Sequence, residues 1–242
     1  MSGAALAVCA LAALGYWAVV HEPAFYRRAQ LELGDRAESA CDDLLARAGA
    51  LASDAQYEGR WHALFAAREI NGWLTVDLPR SHPDLLPPQV QAPYVEVQPR
   101  HLRVAFRHGE GRFRPVISVD LDAYASEPNQ LAVRIRRARL GAVPLPLGQF
   151  LDGVSRAASE AGVTLRWLRS GSDPVAVIKL PPPRDGNTSF VIETLDLRDG
   201  EIYLAGGTQR SAAPHVADRR VHPAAAGQPA ADGESTSDSV QH

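Results

Sequence analysis

Hydrophobic positions change their period along this chain, and the changes mark out its elements. Across residues 36–53, Leu44, Leu45, Ala48, Leu51 and Ala52 recur at helical spacing with charges between them, which predicts a helix. Residues 60–66 read as a short strand. Residues 68–76 read as a short helix presenting Ile70, Trp73 and Leu74, weakened by Gly72 at a cost of about 1 kcal/mol against alanine. Residues 78–93 are proline-rich and read as an irregular loop.

From Tyr94 the period becomes two. Residues 94–98 and 102–108 alternate around a Pro99-Arg100 turn, with Leu102, Val104 and Phe106 on one face. Residues 114–123 place Ile117, Val119 and Leu121 inward and Ser118, Asp120 and Asp122 outward. After a turn at residues 127–129, Leu131, Val133 and Ile135 form another inward row. The pattern is an antiparallel meander with one wet face. The period then returns to 3.6 over residues 147–161, where Leu147, Phe150, Leu151, Val154, Ala158 and Ala161 share one side. Pro146 stands at the start of that helix and Gly162 just past its end. Two strands follow at 164–169 and 175–180. Residues 190–205 form a hairpin around Asp199-Gly200, pairing Arg198 with Glu201, Leu197 with Ile202 and Leu195 with Leu204. From about residue 209 the chain is small and polar, the composition of a disordered tail.

Residues 4–20 are uncharged and mostly apolar, with Tyr16 and Trp17 near the end. A helix of that length covers about 25 Å, slightly short of a hydrocarbon core of about 30 Å. A single-pass anchor is the leading reading. A cleaved signal peptide suits the length but lacks a basic n-region and an A-x-A site, and a buried core helix is the third reading. Arg27 and Arg28 follow the run, and the positive-inside rule would keep that flank in the cytoplasm. The main domain is nonetheless expected outside the cytoplasm. The layout is then an anchor at 1–22, a helical stalk or packing helix at 23–58, an α+β domain at 59–208 and a tail at 209–242. The fold class expected is a curved antiparallel sheet wrapped on an amphipathic helix, preceded by a single transmembrane helix.

Composition changes this picture little. In 242 residues, 45% are hydrophobic and 22% charged, ordinary values for a globular protein. The net charge of −3 offers no basic excess for nucleic acid. Arg134, Arg136, Arg137 and Arg139 do cluster, and period two puts Arg134 and Arg136 on one strand face. That face is either solvated or a contact for anionic lipid head groups. The two cysteines, Cys9 in the apolar run and Cys41 in a helix, do not suggest a disulfide framework.

Chemistry is sparse. The chain has no GxSxG elbow, no HExxH and no phosphate-binding GxxxxGK[ST] loop. His62, His82, His101 and His108 lack ligand spacing. Asp120 and Asp122 share a strand face, read as an acidic face opposite Arg134 and Arg136; Glu69 and Asn71 show no partner. No catalytic residue, metal or cofactor is therefore expected. Binding is the stronger reading. If the sheet curls around the 147–161 helix, the space between them stays open to an acyl chain, lined by Trp73, Leu74, Leu147, Phe150, Leu151 and Val154. Interlocked side chains there would instead favour a scaffold.

The basic strand, the segment LGAVPLPLGQFLDGVS, strands near TLRW and AVIKLP, and the closing IETLDLRDGEIYLAGG together resemble the YpmS family of membrane-anchored bacterial proteins. FAAREINGWL is similar to the short helix such proteins place before their sheet. The resemblance runs from about Phe65 to Gly206, plus the anchor. It implies kinship with tubular lipid-binding domains, in which a curved sheet wraps a long helix, and it brings no functional residues. The expectation is a membrane-anchored, non-catalytic domain that binds lipid or another apolar ligand. The alternative is an envelope scaffold with a closed core and a protein partner. An enzyme stands third, and would gain from a histidine converging with Asp120 and Asp122 in a cleft.

Overall fold

The computed structural model describes residues 14–109, 111, 113–160, 162–180 and 188–210, with the backbone alone of 188, 189 and 210. Residues 4–13 of the expected anchor, Cys9, Ala161 and the expected tail beyond 210 lie outside the described residues.

Antiparallel strands carry the fold. A three-stranded sheet contains β1 (Gly59–Ala66), β9 (Thr188–Arg198) and β10 (Glu201–Arg210) in the order β1-β10-β9. A seven-stranded sheet contains β2 (Val90–Gln98), β3 (His101–His108), β4 (Val116–Glu127), β5 (Gln130–Leu140), β6 (Val143–Pro144), β7 (Leu165–Ser170) and β8 (Asp173–Lys179). Its order is β2-β3-β4-β5-β8-β7, with β6 on β5, and it forms no closed barrel. The helices are α1 (residues 14–20), α2 (Ala24–Leu33), α3 (Ala37–Asp54), α4 (Ala67–Ser81) and α5 (Leu147–Glu160). The class is α+β with antiparallel sheets.

Turn chemistry sets the hairpins. Pro99-Arg100 and Pro128-Asn129 each put proline first and a residue with positive φ second (61° for Arg100, 57° for Asn129), as a type II turn requires. The Asn129 side chain also donates to the Phe190 carbonyl at 2.9 Å and accepts from the Ile192 amide at 2.8 Å, which ties the tip of β4–β5 to β9.

Alternation then fixes two faces of the large sheet. Phe106, Ile117 and Leu140 stand in register, as do Val104, Val119 and Ala138, and α5 lays Leu147, Phe150 and Leu151 on this row. The other face carries Ala105 and Val116, which bury Tyr26 of α2 completely. The guanidinium of Arg103 lies 4.7 Å from the Phe25 ring centroid, and Arg107 pairs with Glu22. α5 therefore rests on one face of the sheet with no residue fully buried, instead of being enclosed by it. Val163 donates to the Ala158 carbonyl at 2.8 Å and closes α5 with the Schellman pattern that Gly162 predicts.

Two sequence expectations change. α4 runs on to Ser81, with Pro79 inside its last turn, and β2 begins at Val90, so 78–93 is not an irregular loop. Pro79 has no N–H to give the Thr75 carbonyl, yet the helix carries on, and Leu78, buried to 4% exposure, anchors the extra turn. Second, Asp120 pairs with Arg137 but Leu121 pairs with Ile135, so Arg136 is the extra residue of a bulge and the strict period of two breaks there. Residues 23–58, read as a helical stalk or packing helix, pack on the domain: Tyr26 of α2 is buried against the large sheet, and Ala40 and Cys41 of α3 are buried where Gly72 of α4 meets them.

Among the described residues no helix is long and apolar enough to cross a membrane. α1, the described end of the expected anchor, is held by the β5–β6 turn. Ala142 donates its amide to the Ala18 carbonyl at 2.8 Å. Gly141 has φ 59°, and a side chain there would collide with the Ala18 and Val19 carbonyls.

Candidate functional site

A cavity of about 600 Å³ opens where the α2–α3 junction, the second half of α4, the proline-rich segment and the start of β2 meet. Its position follows from local choices. Gly34 ends α2 and turns the chain into α3. Ala92, with φ 46°, and Pro93 bulge β2 away from regular pairing between Gln91 and Tyr94. The bulge is pinned from two sides, by Tyr26 donating to the Ala92 carbonyl at 2.8 Å and by the Asn71 side chain holding Val95. Leu33, Leu74, Leu78, Leu86, Val90 and Tyr94 supply apolar wall, and Gln30, Thr75, His82 and Gln91 add polar groups. That mixture, at that volume, is what a pocket for a small apolar ligand needs. Burial, reinforced by Glu32 and Glu96, pushes the Tyr94 phenol up, so it presents a neutral hydroxyl at neutral pH.

Of the six apolar candidates, only Leu74 lines this cavity. Trp73, one residue earlier, turns aside and donates its indole N–H to Asp77 at 2.8 Å. Leu147, Phe150 and Leu151 pack on Phe106, Ile117, Val119, Leu121, Ile135 and Ala138, filling the space that an acyl chain was expected to use. Leu147 and Leu151 also border a groove of about 500 Å³ beside Trp167, whose indole donates to Ser155 at 2.8 Å. Val154 is half-buried. The six do not converge, because α4 and α5 pack on different parts of the fold. Leu33, Leu78, Leu86, Val90 and Tyr94 were missed; the one clue was Leu86, an apolar residue in the middle of a proline-rich run.

Arg134 and Arg136 share a second cleft, of about 850 Å³, with Arg100, His101, Asp122 and Tyr124. It lies past Gln98, whereas the apolar cavity lies at Val90–Tyr94, the opposite end of β2. One extended ligand therefore does not join the apolar and basic candidates. The groups around this cleft alternate in sign. Glu96 accepts from Arg103 at 2.8 Å, and Arg103 donates to Asp120 at 2.9 Å. His101 stands 3.8 Å from Asp120 and 3.2 Å from Asp122, and Asp122 takes the Arg136 Nε at 2.7 Å. A histidine and both aspartates do meet, yet each carboxylate already holds a guanidinium and the imidazole has a carboxylate at either nitrogen. The arrangement neutralises charge on a sheet face and leaves no uncommitted base. Arg134 donates to the Ser170 hydroxyl at 2.7 Å, and its Nε is buried with no acceptor.

Glu69 and Asn71, for which the sequence suggested no partner, are both buried and both paired. Glu69 accepts from Arg47 at 3.1 Å and from the amide of Ala66 at 3.2 Å, capping α4. The Asn71 side chain donates to the Val95 carbonyl at 2.8 Å and accepts from the Val95 amide at 2.7 Å. Helical spacing exposes neither the Arg47 nor the Val95 partner, since both are distant in sequence; only Ala66 is a near neighbour of Glu69.

Compared with protein-family models, with curated proteins and with solved structures, the chain matches none of them, so its function is read from its own geometry.

Proposed function

We propose that this protein is a membrane-anchored, non-catalytic domain that holds an apolar ligand, such as a lipid acyl chain, in the cavity beside α4. The single observation behind this reading is the cavity of about 600 Å³ with its largely aliphatic wall. The apolar run at 4–20, proposed as the anchor, points the same way, and the resemblance to lipid-binding relatives of the YpmS family favours a domain outside the cytoplasm. The ligand sits beside α4 and not under α5, where the side chains interlock.

The test uses the full chain in lipid nanodiscs with a fluorescent fatty acid. Wild type is expected to bind the probe and release it to unlabelled lipid. Leu74→Trp and Ala37→Trp, which fill the cavity, should weaken binding about tenfold, or ~1.4 kcal/mol, with unchanged circular dichroism. Equal binding by all three chains would remove the cavity from consideration.

A second reading, an envelope scaffold with a protein partner, is favoured by the packed interface between α5 and the large sheet. It expects one dominant cross-linked protein in native membranes and no bound lipid.

A further inference from the structure

One corner of the molecule gathers exposed apolar side chains from three separate segments. On α1, Leu14, Tyr16, Trp17 and Val20 are 61%, 63%, 63% and 43% exposed. From the β3–β4 connection, Phe113 is 48% exposed and stacks on Tyr16 with ring centroids 6.0 Å apart. From the β5–β6 turn, Val143 is 37% exposed, next to the Ala142 amide that holds the Ala18 carbonyl. Solitary exposed hydrophobics need no explanation, but a cluster drawn from three segments does.

We infer that this corner is seated in the interfacial layer of a lipid bilayer, so that the domain lies against the membrane instead of hanging from a loose tether. The inference rests on the proposed anchor and adds the domain's own contact with lipid. Several observations select a bilayer as the occupant. The chain preceding Leu14 is the uncharged run that begins at Ala4, so the patch continues the most apolar stretch of the sequence. Its aromatic members are tyrosine, tryptophan and phenylalanine, and the first two concentrate at the head-group level of membranes. Arg27 and Arg28, in the first half of α2, are exposed, and the exposed Arg114 adjoins Phe113, which supplies positive charge for anionic head groups. The seat is also firm. α1 cannot swing freely, because the Ala142–Ala18 hydrogen bond, the close approach at Gly141 and the pairing of Glu22 with Arg107 fasten the α1–α2 segment to the sheet.

The experiment places a nitroxide label on the full chain in nanodiscs of phosphatidylcholine and phosphatidylglycerol. Cys9→Ser removes one native thiol, and Cys41 is buried. Labels go at Phe113→Cys, Val143→Cys and, as control, Tyr57→Cys, which is 71% exposed in wild type at the far end of α3. Positions 113 and 143 should favour relaxation by oxygen over a water-soluble nickel chelate, and position 57 the reverse. If the chain stays with the discs but 113 and 143 meet nickel as freely as 57, the seat is overturned while the anchor stands. If the chain does not stay with the discs, anchor and seat fall together. Loss of fatty-acid binding with the seat intact would count only against the cavity.

Discussion

Gly72 of α4 crosses α3 so closely that a methyl group on its Cα would lie 2.6 Å from the amide nitrogen of Cys41. The glycine that looked like a weakness in the sequence is the contact that lets the two helices touch. In an exposed helix, Gly→Ala stabilises by about 1 kcal/mol. Here Gly72→Ala is expected to destabilise by about 2 kcal/mol, because backbone and not a flexible side chain is in the way. A urea midpoint equal to or above wild type would contradict this crossing.

Asn71 predicts a second effect of backbone substitution by side chain. Its amide satisfies both hydrogen-bonding groups of Val95. Asn71→Ala strands two buried polar groups and should cost about 2–4 kcal/mol. Asn71→Asp keeps the acceptor but loses the donor, and is expected to remain destabilising. Equal stability of Asn71→Ala and wild type in equilibrium unfolding would refute the role.

Arg47 and Glu69 form an asymmetric pair, since the Arg47 side chain is 51% exposed and that of Glu69 0%. Removing the arginine leaves a carboxylate shut away from water with only the longer contact to Arg68, at 3.9 Å, to offset its charge. Arg47→Met is therefore expected to cost about 2–4 kcal/mol, while Glu69→Gln, which can still accept from Ala66, should cost about 1 kcal/mol. Chemical denaturation at neutral pH reads both; the reverse order would mean that Glu69 is stabilised mainly by something other than Arg47.

Asp122 carries a pH dependence. Burial pushes its carboxyl up, but hydrogen bonds and charge from Arg136 and His101 outweigh this and hold it below the ordinary carboxylate range. A carboxylate lowered on folding stabilises the fold above its unfolded pKa of about 3.9, and the contribution disappears as pH falls through the folded value. Wild type should exceed Asp122→Asn in urea midpoint near neutrality, with the gap narrowing once pH drops below about 4. A gap that stays constant into strong acid would show that the ion pair does not supply it.

How much of this was legible follows from which forces were local. The β9–β10 register is as Asp199-Gly200 and the flanking residues imply, with Arg198 opposite Glu201 and Leu195 opposite Leu204. α5 was readable because one apolar stripe, Pro146 and Gly162 agree about the same segment. The helix at 68–76 was readable too, but its continuation to Ser81 was not, because Pro79 looks like a stop until Leu78 is seen to be buried. The cavity was illegible for a stronger reason. Leu33 is in α2, Leu74 in α4 and Leu86 in the proline-rich connection, and the bulge at Ala92 and the Gly72–Cys41 crossing help bring them around one space.

β2 is the outer strand of the large sheet, and its free side offers little to another chain. Pro93 has no N–H, Val95 is taken by Asn71, and the Val97 carbonyl accepts from Gly200 at 3.0 Å. Strand addition, the usual route from an open edge to aggregation, is closed there. Among the described residues it remains open at β7, where Leu168 is 44% exposed, so edge-to-edge self-association of this sheet would start at β7.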